Sequence, residues 1–146
     1  MLDIREVEDI TIIKPLWEAL NRHCMNHSRH YKDAFLNRIF ENRIKKFEAV
    51  DDYRLEVICQ SNKPLGYILG SVKKDAGEID SVYIYDDLRG LGLGEYLTNR
   101  MITWFESKEV CSVTLNIAAG NEEVIMFYQK MGFNMRKYTM ELGDKR

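Results

Sequence analysis

The densest chemical signal in the chain is the run Arg89-Gly90-Leu91-Gly92-Leu93-Gly94. Glycines at alternate positions let a backbone approach a ligand closely, and the amides that open a following helix can bind a phosphate or pyrophosphate. Arg89 adds a fixed positive charge. Two nucleotide motifs can be tested against the run and both fail. A GxGxxG fingerprint starting at Gly90 needs glycine where Glu95 stands, and starting at Gly92 needs it where Leu97 stands. A P-loop needs Gly-Lys-Ser/Thr, which is absent. Upstream, Glu78 and Asp80 lie two apart in a strand pattern, so their side chains share one face. His23 and His27 stand at helical i,i+4 spacing in a run that ends at His30, but no further ligand set accompanies them. Surface or helix-end histidines are the simpler reading, and no metal is expected.

Hydrophobic periodicity gives the elements that must position these residues. Leu2 to Val7 alternate as a strand. Ile10, Ile13, Leu16 or Trp17, and Leu20 then recur at helical spacing, with Pro15 demanding either a helix start near Lys14 or a kink. A second helix is expected from about Asp33, with Phe35, Ile39, Phe40, Ile44 and Phe47 on one stripe, basic residues between them, and a joint to the first helix near Ser28. The period changes to two in RLEVICQ, LGYILGSV and EIDSVYIY, which are separated by turn compositions and read as an antiparallel meander. After Arg89, Leu93, Leu97, Met101, Trp104 and Phe105 mark one helix face. A strand SVTLNIA follows, then a short helix capped by Asn121 with Glu122 and Glu123 in its first turn. Gly132 ends that helix, and FNMRKYTMEL is expected as a last strand. The order is βααβββαβαβ, a single α/β domain over residues 1–146 with a mixed, mostly antiparallel sheet and helices on both faces.

With 146 residues, 45% hydrophobic and 30% charged, the chain can bury a core without disulfides or metal. Its net charge of −2 argues against a nucleic-acid binder, which needs a basic excess to neutralise phosphates. Cys24, Cys59 and Cys111 form no CxxC pair and are expected as buried thiols in a reducing compartment. The N-terminal residues do not read as a signal peptide, and no apolar run suits a bilayer, so a cytoplasmic protein without a membrane partner is expected. Composition does not choose between a monomer and a homodimer.

Arg89-x-x-Gly92-x-Gly94 resembles the Arg/Gln-x-x-Gly-x-Gly/Ala signature of the GNAT superfamily of N-acetyltransferases. Leu115-Asn116-Ile117 is similar to the family's fifth strand, and Asn121 with Phe127-Tyr128-Gln129-Lys130-Met131-Gly132-Phe133 to its N-x-x-A-x-x-F-Y-x-K-x-G-F segment. The match is specific over about Gly77 to Phe133. Asp86 stands where the family often has proline, and Val124 where it often has alanine. The resemblance implies an acyl-CoA N-acyltransferase fold that binds acetyl-CoA without a metal. The backbone of Val82, Tyr83 and Ile84 would pair with pantetheine where the fourth and fifth strands splay. The amides of Arg89, Gly90, Leu91, Gly92, Leu93, Gly94 and Glu95 would take the pyrophosphate, with the Glu95 carboxylate turned away, and Asn121 would touch pantetheine or a water.

Transfer from a thioester to an amine needs a neutral amine, an acceptor for its proton and a proton for the leaving thiolate. The resemblance gives the last task to Tyr128. Glu78 resembles in its placement the base of some members, with Asp80 the second candidate and a water chain the third route. The acceptor is expected to be a small-molecule primary amine. Two rivals are a transferase acting on protein or peptide amines and a non-catalytic CoA-binding module. By analogy the helix pair covers the acceptor, with the His23, His27 and His30 run, Trp17 and Tyr31 as candidate lining, and surface histidines and core packing as the simpler alternatives.

Overall fold

The computed structural model describes residues 1–27, 38–118 and 121–142. They pack as two compact units, one from Met1–Leu20 and Ile39–Asn116, the other from the described parts of Asn21–Arg38 and Ile117–Arg146. The first unit holds a five-stranded sheet in chain order. Strands β1 (Leu2–Val7), β2 (Asp52–Gln60), β3 (Lys63–Lys73) and β4 (Ala76–Ile84) pair antiparallel, and β5 (Ser112–Leu115) joins β4 in parallel. The expected mixed, mostly antiparallel sheet is therefore present.

Both faces of this sheet are covered. Leu55, Val57 and Cys59 of β2, with Tyr67 and Leu69 of β3, pack on one face against Ile10, Ile13, Trp17, Phe40 and Phe47. Those five come from the turn Ile10–Ile13, from helix α1 (Lys14–His27), and from the short helix α2 (Phe40–Arg43) with its 3-10 extension Ile44–Glu48. Trp17 is a core residue, edge-on to Phe40 at 5.6 Å. Helix α3 (Leu93–Ser107) covers the other face with Leu97, Met101 and Phe105, all fully buried. It lies so close that a Cβ on Gly70 would come within 2.7 Å of Met101 Sδ, and one on Gly77 within 2.7 Å of the Phe105 ring. Double coverage explains why Leu55–Cys59 is buried without alternation, where a one-sided strand would alternate.

One residue in that stretch is charged. Glu56 of β2 is 1% exposed and faces α3, where Arg100 donates to Oε1 at 2.8 Å and to Oε2 at 2.9 Å. Arg54 donates to Oε2 at 2.8 Å from the same strand. Burial alone would raise this carboxyl, but Arg100 and then Arg54 outweigh it and hold it below the ordinary glutamate range. Both oxygens are satisfied, which a buried carboxylate requires.

Several elements match expectation and several do not. Helix α1 begins at Lys14 with Pro15 in its first turn, where a missing N–H costs no hydrogen bond. The expected helix start near Asp33, Phe35, the joint near Ser28, and His30 and Tyr31 lie outside the described residues. Ile39 is 54% exposed as the residue preceding α2, not part of its buried stripe. The last strand is corrected: residues 133–142 form no strand, and Tyr138 and Met140 stand almost wholly in solvent. Alternation alone does not make a strand, because the backbone needs a ladder partner. The fifth strand is shorter than SVTLNIA for the same reason, since its pairing with β4 ends at Ile79↔Leu115.

Candidate active site

The glycine run opens α3. Gly90 and Gly92 have φ of +83° and +76°, the left-handed region that glycine enters without strain, and a Cβ at either would meet nothing within 4 Å. Gly92 is the N-cap of α3 and supplies no side-chain cap, while the first intrahelical bond runs from Tyr96 N to Gly92 O at 3.0 Å. The amides of Leu93, Gly94 and Glu95 thus lack an acceptor within the helix. Glu95 is exposed in the first turn. Arg89 is held from behind: its Nε donates to Ile84 O at 3.1 Å, and its guanidinium stands 5.7 Å from the Tyr83 ring centroid. Open amides, a helix start and a tethered cation suit an anionic group such as a pyrophosphate.

Strand β4 leads directly to this turn. Leu69 pairs with Ser81 and Gly70 with Ile79, so Asp80 is an extra residue, a β-bulge. Pairing with β5 stops at Ile79, and from Asp80 to Ile84 the β5 side of β4 has no strand partner among the described residues. Tyr85 N donates to Leu65 O at 2.8 Å, and ladder alternation then aims the polar backbone groups of Val82 and Ile84 away from β3, toward the open side. Those of Tyr83 face β3. An open strand edge of this kind can pair with an extended, amide-bearing ligand arm. Of the three residues expected at the splay, Val82 offers its backbone there and Ile84 its N–H, the Ile84 carbonyl being taken by Arg89 Nε at 3.1 Å.

Glu78 and Asp80 do share a face, and the structure adds a partner that periodicity missed. Lys46 Nζ, from the 3-10 turn after α2, donates to Glu78 Oε1 at 2.7 Å and also to Asp80 Oδ1. Arg43 Nη2 donates to the Asp80 carbonyl at 3.3 Å. The Asp80 side chain is fully buried and its Oδ2 has no hydrogen-bond partner, whereas Glu78 keeps 30% of its side chain exposed. Burial raises the Asp80 carboxyl despite Lys46 and Ser71. Burial works against the Lys46 ammonium too, but Asp80 and Glu78 outweigh it and hold it above the ordinary lysine range. The only clue in the sequence was the i,i+3 spacing of Arg43 and Lys46 between the stripe residues.

In the second unit, Tyr128 lies on helix α4 (Ile125–Lys130), edge-on to Phe127 at 5.0 Å and to Phe133 at 5.7 Å. Desolvation pushes its hydroxyl up to about 12, so at neutral pH it is a protonated donor. Gly132, at φ +103°, closes α4 as expected: its N–H bonds to Gln129 O at 3.1 Å, and Phe133 N to Tyr128 O at 3.0 Å, a Schellman pair. Asn121 corrects an expectation. It precedes the turn Glu122–Val124 but makes no side-chain cap bond, because its ψ of 26° departs from the extended backbone a capping side chain needs. His23 Nε2 lies 2.8 Å from Glu123 Oε1, and His27 Nδ1 is 2.8 Å from His23 O, so that nitrogen carries the proton. Among the described residues no group of three or more His, Cys, Asp or Glu could hold a metal, and no helix is long and apolar enough to cross a membrane. Cys24 and Cys59 are buried as expected, and Cys111 is exposed.

The family model described as "Acetyltransferase (GNAT) family" matches residues 15–133. A peptidyl-lysine N-acetyltransferase, YjaB of Salmonella typhimurium, is 29% identical over 104 residues, which cover 66% of this chain and 65% of that protein. An N-acetyltransferase of Methanocaldococcus jannaschii, MJ1207, is 27% identical over 88 residues, 55% of this chain and 39% of that one. The chain thus spans less than two thirds of the length of these curated relatives. Among solved structures, a tetramutant of the BH1408 protein of Bacillus halodurans superposes with a TM-score of 0.74 at 20% identity, covering 96% of this chain and 98% of that one. That likeness concerns the fold.

Proposed function

The chain belongs to the GNAT family of acetyltransferases, and on that premise we propose that it transfers an acetyl group from acetyl-CoA to a primary amine by direct attack, both bound at once. The observation that carries this reading is the continuity of an open β4 edge, Asp80 to Ile84, with the glycine cradle at the start of α3. An extended arm ending in a pyrophosphate fits that sequence of features. Acetyl-CoA supplies the activated thioester; the chain supplies position and proton transfer. Val82 and Ile84 orient the arm through their backbone, and the amides from Arg89 to Glu95 hold the pyrophosphate. Glu78, the more exposed carboxylate, is the base an entering amine reaches, while Asp80 shapes the field beside it. Tyr128 protonates the leaving thiolate, and Asn121 contacts the arm or a water. The acceptor is a small amine; a lysine on a protein or peptide is the second reading, prompted by the likeness to YjaB. A panel of alkylamines, polyamines and a lysine peptide with acetyl-CoA, followed by thiol release, tests the proposal. Acetyl-CoA that binds by calorimetry but is turned over with none of them would make the chain a binding module.

Two residues give sharper outcomes. Tyr128→Phe should lower kcat about 100-fold, the lower end of general-acid help because water partly substitutes, with acetyl-CoA affinity almost unchanged. Full turnover in that variant returns Tyr128 to packing. Glu78→Gln should depress kcat/KM on the limb below neutrality and leave acetyl-CoA affinity nearly as it was, with Asp80→Asn doing less. A Glu78→Gln profile superimposable on wild type rules the base out.

A further inference from the structure

Under the proposed function an acceptor nitrogen must come within hydrogen-bond reach of its base, roughly 2.6–3.2 Å or one water away. A primary amine of this chain already does so. Lys46 Nζ stands 2.7 Å from Glu78 Oε1 and touches Asp80, the residue at which β4 leaves β5 and the expected acyl cleft begins. Asp80 has a buried second oxygen without a partner, so the pair can take another proton or donor. We infer that Lys46 is an internal acceptor, a modification site whose ε-amine takes the acetyl group of acetyl-CoA bound by the same chain. The inference rests on the reading above.

The step balances without a further reagent. The Nζ ammonium gives one proton to Asp80 or Glu78, and its lone pair forms the N–C bond to the thioester carbonyl carbon. The C–S bond breaks, the thiolate takes a proton from the protonated carboxylate or from water, and Nζ loses its surplus proton to the carboxylate pair and solvent. The products are Nε-acetyl-Lys46 and CoA thiol. The groups facing Nζ are Glu78 and Asp80 on β4, with the Arg43 guanidinium on the Asp80 carbonyl. The carboxylates keep the amine charged, so the reaction is slow near neutrality and accelerates as pH rises. Once acetylated, Lys46 no longer neutralises the pair, and the site attracts an external ammonium more strongly.

Peptide mass mapping of the wild-type protein after incubation with acetyl-CoA, at about pH 7 and about pH 9, tests this. Lys46 is only about a third exposed, whereas Lys45 and Lys63 are exposed, so acetyl-CoA acting from solution favours the latter two. Acetylation by the bound donor reverses the order: occupancy at Lys46 should exceed that at Lys45 and Lys63 by about tenfold or more, because the donor is held beside it, and should rise with pH. In Gly92→Glu, which should not bind the donor, the excess at Lys46 should vanish. Calorimetry on the same samples separates the failures. Bound acetyl-CoA with Lys46 no more modified than Lys45 overturns the inference alone, as does an equal excess in a non-binding Gly92→Glu. No binding by wild type overturns the cofactor assignment and this inference with it.

Discussion

Gly92→Glu should abolish acetyl-CoA binding, turning a measurable calorimetric titration into none. The new side chain finds open space, since nothing lies within 4 Å of a Cβ at this position. Its carboxylate sits at the start of α3, where it suits the helix dipole and the unpaired amides. That is the difficulty: it takes the amides a pyrophosphate needs and adds a like charge. A non-glycine residue at φ +76° also carries strain of about 1–2 kcal/mol. Gly92→Ala isolates that strain and should leave binding weakened but present. A Gly92→Glu protein that is folded by circular dichroism and binds acetyl-CoA as wild type does would remove the turn from the cofactor site.

Glu56→Ala should lower stability by about 3 kcal/mol, the lower end for breaking a buried pair, because Arg54 and Arg100 keep 23% and 41% of their side chains exposed and can turn to water. For a chain of this size that is roughly a 10 °C fall in melting temperature. The pH dependence follows from the depressed carboxyl. Its contribution is present above the unfolded glutamate range of about 4.3 and fades as pH falls through the lower folded value. Acid unfolding of wild type therefore begins below about pH 5 partly through Glu56, and Glu56→Gln should flatten that portion of the stability curve. A melting temperature within about 2 °C of wild type in Glu56→Ala would show that the arginines gain nothing from the buried carboxylate.

What the sequence disclosed was chiefly local. The glycine run was legible because alternating glycines before an amphipathic stretch constrain the backbone over six residues, and Gly132 because a helix end needs a left-handed residue. The meander was legible from period two, although Glu56 sat unnoticed among residues expected to alternate toward solvent; it is buried only because α3 brings Arg100 to it. Asn121 has the right residue type for a cap and the wrong backbone for one. FNMRKYTMEL has the pattern of a strand and forms no ladder. Lys46 and Arg43 were beyond reach for a different reason. A salt bridge between residues more than thirty positions apart depends on how a helix end is laid over a sheet, and no local period encodes that placement.

The bulge at Asp80 changes what a one-residue deletion there means. In an uninterrupted strand Glu78 and Tyr83 would point to opposite faces, since they differ by an odd number of positions. The extra residue resets the parity, so that Glu78, Asp80, Ser81 and Tyr83 all belong to the face that carries Lys46 and Tyr67, as the Tyr67–Ser81 hydroxyl contact of 2.7 Å records. Asp80→Asn subtracts a charge and keeps this frame. Removing the residue takes the bulge out with it: Ser81 would follow Ile79 directly and still face Leu69, so Ser81 and Tyr83 would keep the Lys46 and Tyr67 face, and Val82 and Ile84 would keep the open side. Position 80 is thus an insertion that β4 could lose without changing which residues face the cofactor edge; what would go with it are the local bend and the contacts to Lys46 and Arg43.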